Sequence, residues 1–508
     1  MGDAGTSTPP WLTRDRVRLL VLTLGALAWC TLYAWRGYFI SDFWEHAAVV
    51  RELSARPFSP RHPLLAVDAT HAYFSPYLLA VALAARVTGV SAISALATAG
   101  LVNLILLVLA LRRFLVRLLP QGEAAAPYAL LFMFFLWGKD PWMWSGFLHV
   151  AMLGYDVSYP STFAAAGMFL SLSLFLDALD RGRSLPFIGV ALLLALCVIT
   201  HPPTAVVLVA GLLALFVARV NNRFLINGGL LVGAVAAGVA GAMAWPYFPV
   251  LQLFADQPAE FHGWSRVFYR GVLARIWPAM LALPVLIWRL RRNSRDPLVL
   301  FVAVLGVIYA LGGITERYGL GRVIAYIVVL SQVALGAAVA AWESRLPAQR
   351  RWLAAWCTCT AVVGLLAYTR PQHPSIRRYQ RSPWYDVGSM LGAVRPGEVV
   401  LTDSRTSYPV PALTGGRVLA WRHPIYWVPD HSQRRETQDR FFASATDSER
   451  RAVIARYRVS WVLLNRKEVS LSPAAEDGLL ATGCVVAERG ALVLLDPRRS
   501  CSAAGSSP

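Results

Sequence analysis

Charge is the scarcest property of this sequence. Only 15% of its 508 residues are Asp, Glu, Lys or Arg, against about a quarter in a soluble globular chain. With 56% hydrophobic residues and a mean hydropathy of +0.49, it cannot be an ordinary soluble domain and reads as an integral membrane protein. Lysine is nearly missing. Lys139 and Lys467 are the only two, so arginine carries almost all of the net charge of +19. Those arginines sit in short clusters between apolar runs, not in one continuous stripe, which argues against nucleic-acid binding and fits basic membrane loops. Cysteine is sparse, six in all, and none has zinc-ligand neighbours. Cys30, Cys197, Cys357 and Cys359 lie within apolar runs, whereas Cys484 and Cys501 can pair if the tail lies outside the cytosol. The sequence also lacks internal repeats and low-complexity tracts.

What it has in abundance is apolar length. Eleven stretches read as membrane spans, near 18–36, 94–116, 125–138, 161–179, 185–200, 203–219, 224–245, 272–290, 297–313, 321–342 and 352–369. The first follows Arg14, Arg16 and Arg18, but no small-residue cleavage site comes after it, so it is a retained helix rather than a signal peptide. Arginines then set the orientation. With residues 1–17 cytosolic, Arg112/Arg113/Arg117, Arg181/Arg183, Arg219/Arg223, Arg289/Arg291/Arg292/Arg295 and Arg345/Arg350/Arg351 all fall in cytosolic loops. An odd number of spans places the C-terminal tail outside. The arginine bias suggests a GC-rich genome, so the expected location is a bacterial plasma (inner) membrane.

Residues 18–370 are therefore expected to form a polytopic α-helical core with about eleven transmembrane helices. Residues 37–93 form a long external first loop with helical stretches at about 42–55 and 75–89. The second is about fifteen residues long and contains Arg86, too short for the roughly 20 residues a span needs, so it reads as interfacial. From 371 to 508 the composition turns soluble. Short apolar runs at Val399–Leu401, Val418–Trp421, Val459–Leu464 and Ala491–Leu495, with a polar helical stretch Ser432–Tyr457, predict a small extracytoplasmic α/β domain.

Ionisable residues gather at the predicted helix ends. Asp42, Glu45 and His46 share one helix face just beyond the first span. Asp42 with Glu45 also has the form of an acidic capping box, which leaves His46, Asp68 and His71 of the same loop unexplained. Charged groups at a membrane boundary are functional candidates by default. Asp156, shortly before span four, is the second acid, or a cap for that helix. Arg317, Tyr318 and Arg322 lie where span ten begins. A guanidinium there can grip a phosphate at two points, or pair with Glu316. His262 belongs to an aromatic–basic loop suited to sugar stacking or to interfacial anchoring. His201, followed by two prolines, reads as a turn histidine.

These pieces together resemble the polyprenol-phosphate-dependent membrane glycosyltransferases of the GT-C fold. That group includes protein O-mannosyltransferases, the aminoarabinose transferases of lipid A and, more distantly, oligosaccharyltransferases. The resemblance runs through Asp42, Trp44, Arg51-Glu52-Leu53, Pro60-Arg61-His62-Pro63, Tyr73-Phe74-Ser75-Pro76-Tyr77 and Gly89. Asp156 is similar in place to the family's second acid. Arg317-Tyr318 resembles its late Arg-Tyr pair, with Gly319 and Gly321 where prolines usually follow.

The resemblance implies an inverting transfer of one sugar from a polyprenyl-phosphate donor to an extracytoplasmic acceptor hydroxyl on a glycan, lipid or protein. Asp42 is the implied base and Asp156 the second catalytic residue. Glu45, His46, His71, His262, Arg317, Tyr318 and Arg322 are the implied substrate contacts, with Arg317 and Arg322 neutralising the leaving phosphate. A divalent metal (Mg or Mn) is an option, held by Asp42, Asp156, Glu45 or His46, though none is assigned. Two alternatives compete. En bloc oligosaccharide transfer to protein requires a metal and a peptide-reading motif in the tail, and the tail carries no convincing motif of that kind. A transporter or flippase of lipid-linked sugars should carry its charges near the bilayer midplane.

Overall fold

Helix dominates, as long apolar runs in a bilayer require, because every backbone N–H and C=O must be satisfied within its own segment. The computed structural model describes residues 13–37, 39, 42–219, 222–253, 263–345, 350–369, 384–423, 425 and 427–499. The chain divides into two compact units, one of residues 1–36 and 98–379, the other of residues 37–97 and 380–508.

The helices begin with α1 (Arg14–Arg36), α2 (Asp42–Ala55), α3 (Pro76–Thr88), α4 (Ala92–Leu118) and α5 (Gly122–Phe135). They continue with α6 (Val150–Asp156), α7 (Pro160–Arg181), α8 (Leu185–Thr200), α9 (Pro202–Ala218) and α10 (Phe224–Met243). After these come α11 (Val272–Ile276), α12 (Leu283–Arg292), α13 (Pro297–Ile314), α14 (Ile324–Arg345) and α15 (Arg350–Thr369). Among the described residues six helices are long and apolar enough to cross a membrane: α1, α4, α7, α10, α13 and the Tyr318–Arg345 stretch that contains α14. α3, α5, α8 and α9 are apolar but shorter.

Every expected span coincides with a helix except the one near 272–290. That stretch breaks into α11, a 3₁₀ turn at Ala279–Ala282 and α12. Pro278 and Pro284 supply the reason, since each removes an N–H and crowds the preceding turn. In the first unit, α5 and α14 pack closely. A Cβ on Gly336 would stand 2.8 Å from the backbone nitrogen of Ala129, the small-residue contact that lets membrane helices approach. Gly336→Ala is therefore expected to cost about 1–3 kcal/mol by overpacking. The readout is the thermal midpoint of purified protein, with Gly229→Ala, which meets nothing within 4 Å, as the silent control.

The second unit joins the first loop to the tail. α3 starts and ends where its cap residues dictate: Ser75 accepts the Leu78 N–H, and Gly89 closes the helix at φ 71°. The tail contributes α16 (Trp384–Met390), α17 (Pro409–Thr414), α18 (His431–Ala443), α19 (Asp447–Arg456) and α20 (Pro473–Leu480). Its five strands are β1 (Val399–Thr402), β2 (Arg417–Val418), β3 (Val459–Asn465), β4 (Cys484–Arg489) and β5 (Leu492–Asp496), ordered β2-β1-β3-β5-β4. β1 runs parallel to β2 and β3, while β5 is antiparallel to β3 and β4.

The polar stretch expected as one helix is two, divided where Thr446 and Glu449 form a capping box. Leu65 of the first loop bridges Val418, whose N–H donates to the Leu64 carbonyl at 2.8 Å. Arg51 of α2 donates to the carbonyls of Ala412 and Leu413 at 3.2 and 3.0 Å. Cys484 is disulfide-bonded, while Cys30, Cys197, Cys357 and Cys359 are free. Cys501, its expected partner, lies outside the described residues.

Candidate functional site

The start of α2 is fixed by aromatic packing. Phe39 stacks on Phe43 with centroids 3.7 Å apart, and the Trp44 indole donates to the Phe39 carbonyl at 3.2 Å. α2 packs against both α3 and α17, so Glu45 and His46 are carried into the interior. Asp42, the first residue of α2, stays at the rim with 34% of its side chain exposed. His71 Nε2 lies 3.3 Å from Glu45 Oε1. Its Nδ1 accepts the Tyr73 N–H at 3.3 Å, which places the proton on Nε2. His62 accepts the N–H groups of Leu64 and Leu65 through Nδ1 in the same way. The His62 and Trp427 rings stand 5.0 and 5.6 Å from His71, and His46 lies 4.7 Å from the Tyr73 ring.

Burial governs the charges. It pushes the Glu45 carboxyl up to about 8, helped by the charge of Asp42 and opposed by His423 and Trp421. It pulls His46 down to about 4 and His71 to about 3. Burial thus favours the neutral form of all three groups.

The consequences for stability run in two directions. Unfolded Glu45 loses its proton near 4.5 and folded Glu45 only near 8, so this group weakens the fold as pH rises through that window. The histidines gain protons near 6.5 when unfolded but only near 4 and 3 when folded, so they weaken it as pH falls below 6.5. Glu45→Gln, which keeps the neutral form, is expected to raise the thermal midpoint above pH 8 more than at pH 5. Equal shifts at both pH values would contradict the assignment.

The tail supplies groups that the sequence did not single out. His423 Nε2 lies 3.9 Å from Asp42 Oδ1 and 2.5 Å from the Tyr408 hydroxyl. The Tyr408 ring in turn meets Trp421 edge-on at 4.8 Å. For His423 the signal in the sequence is the aromatic run Trp421-Arg422-His423-Pro424-Ile425-Tyr426-Trp427, and Tyr408 lies outside it.

In the first unit, Asp156 ends α6 and is fully buried. Its Oδ2 accepts the Gly146 N–H at 2.7 Å and its Oδ1 the Ser161 hydroxyl at 3.0 Å. It is not the cap of α7, because Tyr159 holds that position. Asp156 ties the loop before α6 to the first turn of α7. Ser145 in that loop lies 3.2 Å from His201 Nε2, His201 Nδ1 lies 2.8 Å from the Thr204 hydroxyl, and Thr204 lies 2.9 Å from the Tyr326 hydroxyl. His201 is thus part of a polar chain, not a bare turn residue.

The neighbouring Trp144 ring carries the Arg322 guanidinium at 5.2 Å. Arg317 is exposed, and Tyr318 meets Tyr269 at 5.6 Å and the Arg266 guanidinium at 5.7 Å. A Cβ on Gly321 would stand 2.6 Å from the Tyr269 ring, which accounts for glycine there instead of proline. His262 lies outside the described residues. Asp42, Glu45, His46 and His71 are gathered in the second unit, and Asp156, Arg317, Tyr318 and Arg322 belong to the first.

Solved structures share this architecture. The crystal structure of the Archaeoglobus fulgidus oligosaccharyltransferase in its apo form matches with a TM-score of 0.54 at 12% identity, covering 90% of this chain and 70% of that one. The same enzyme tethered by a disulfide to an acceptor peptide containing the NVT sequon gives 0.56 at 12% identity, covering 91% and 70%. The fold is GT-C. The sequence matches no family model and no curated protein.

Within this GT-C fold the metal option finds little support from the donor sets. Among the described residues no three His, Cys, Asp or Glu side chains are grouped to share a cation. Both carboxylate oxygens of Asp156 accept protein hydrogen bonds, and the buried Glu45 carboxyl lies 3.3 Å from His71 Nε2, where burial pushes its pKa up.

Proposed function

We propose that this GT-C chain is an inverting membrane glycosyltransferase. It moves one sugar from a polyprenyl-phosphate carrier to an acceptor hydroxyl on the extracytoplasmic side. The observation that carries this reading is Asp42 at the rim of a buried cluster of Glu45, His46 and His71. The acceptor oxygen attacks the anomeric carbon from the face opposite the phosphate, and its proton passes to the Asp42 carboxylate. The anomeric C–O bond breaks, and its electron pair leaves with the phosphate. That anion needs neutralisation rather than a proton, which a guanidinium gripping it at two points can supply.

His423, its ring held by Tyr408 at 2.5 Å, lies 3.9 Å from the Asp42 carboxylate and adds to the polar rim around it. The hydrogen bonds of Asp156 support a positioning role for the loop that carries Trp144 and Ser145. The Cys484 disulfide supports a tail in an oxidising compartment, in line with the arginine distribution. The peptide-tethered neighbour favours one second reading, en bloc transfer to protein.

The test is reconstitution in vesicles with a labelled polyprenyl-phosphoryl sugar and an extracytoplasmic acceptor. Covalent label on the acceptor is expected. Label that stays lipid-linked but crosses the membrane would make the chain a flippase. Label transferred only from lipid-linked oligosaccharides would favour the en bloc reading.

A further inference from the structure

Away from that chemistry, α1 and α4 leave an open groove of ≈ 620 Å³ between them. Leu20, Leu24 and Leu27 of α1 and Ile105 and Leu109 of α4 line it, and Arg16 and Arg112 also border it. Both guanidiniums bond the same carboxylate oxygen, Glu123 Oε1, at 2.8 and 2.7 Å. Two cations share one anion there, so this end keeps a net positive charge and unused N–H donors. Arg16 and Leu27 are eleven residues apart, about 16 Å of helix, close to the roughly 15 Å hydrocarbon depth of one leaflet. Leu20, Leu24, Ile105 and Leu109 are exposed along this face, and both helices are long and apolar enough to cross a membrane. The groove has an anion-seeking end and a leaflet-long apolar floor.

We infer that this groove is a binding site for one anionic phospholipid, its phosphate on Arg16 and Arg112 and an acyl chain along the floor. Basic pockets between membrane helices recognise anionic headgroups. A choline headgroup would bring a cation toward the two arginines and be disfavoured.

The experiment is native mass spectrometry of the full-length protein released from nanodiscs of phosphatidylglycerol or of phosphatidylcholine with identical chains. One retained phosphatidylglycerol per protein is expected, with phosphatidylcholine lost. Arg16→Gln with Arg112→Gln should cut retention about 25-fold, taking roughly fivefold per arginine. Glu123→Gln should increase retention. Leu24→Trp, which fills the floor without touching a charge, should also expel the lipid and keeps the proposal testable if the arginine variants fail to fold. Equal retention of both lipids would overturn the site, as would unchanged retention in the double variant. Displacement of phosphatidylglycerol by inorganic phosphate alone would overturn the lipid assignment in favour of a plain phosphate site.

Discussion

Asp42→Asn is expected to slow sugar transfer by a factor of about 10²–10⁴ while expression and membrane insertion stay intact. Asparagine matches the carboxylate in size and can still face His423, yet it cannot accept the acceptor's proton. Asp42 keeps a third of its side chain in contact with solvent, so the change leaves no buried charge unpaired and folding should tolerate it. The measurement is the transfer rate from a polyprenyl-phosphoryl donor in vesicles, with protease accessibility of the tail as the check on topology. Normal turnover would return Asp42 to the role of a helix-starting acid.

Glu52→Ala is expected to have the largest effect on stability, about 3–5 kcal/mol, the usual cost of removing one partner from a buried ion pair. Glu52 Oε2 meets Arg417 at 2.5 Å, with 6% and 9% of the two side chains exposed. Its Oε1 also accepts from Arg56 at 3.1 Å and from the Arg61 N–H at 2.9 Å. Without the carboxylate, the Arg417 guanidinium would keep its bonds to the carbonyls of Pro63 and Gly415, each at 3.2 Å. First loop and tail should loosen together, because this pair and the Leu65–Val418 bridge join them. Limited proteolysis and thermal melting of the purified protein read the effect. Glu52→Gln, which keeps a hydrogen-bond acceptor, should fall between the two. A Glu52→Ala protein that melts like the wild type would sink the account of how the second unit is held.

The helical architecture was legible in the sequence because apolar length and arginine spacing are local properties. α2 and α3 appear where the acidic start, Ser75-Pro76 and Gly89 place them. Legibility failed where the outcome depends on partners distant in the chain. β4 went unpredicted because its residues are mostly half-exposed or exposed at the sheet edge, which blunts the alternation that marks a strand. Pro278 and Pro284 broke a stretch that hydropathy alone made continuous. The candidate site was half visible. Asp42, Glu45, His46 and His71 stand out as ionisable residues in an apolar context, whereas His423 and Tyr408 come from more than three hundred residues away and lie within a tail whose polar residues look ordinary. Asp156 stands out by its place before span four, but its fixed hydrogen bonds to Gly146 and Ser161 follow from loop geometry that no spacing rule encodes.

The most direct measurement is a structure of the protein with a polyprenyl-phosphoryl sugar and an unreactive acceptor analogue bound. The acceptor hydroxyl is expected within hydrogen-bond reach of the Asp42 carboxylate, about 2.6–3.2 Å, on the side of the anomeric carbon opposite the phosphate. A donor bound with its anomeric carbon turned from Asp42, and another group facing the acceptor oxygen, would contradict that expectation.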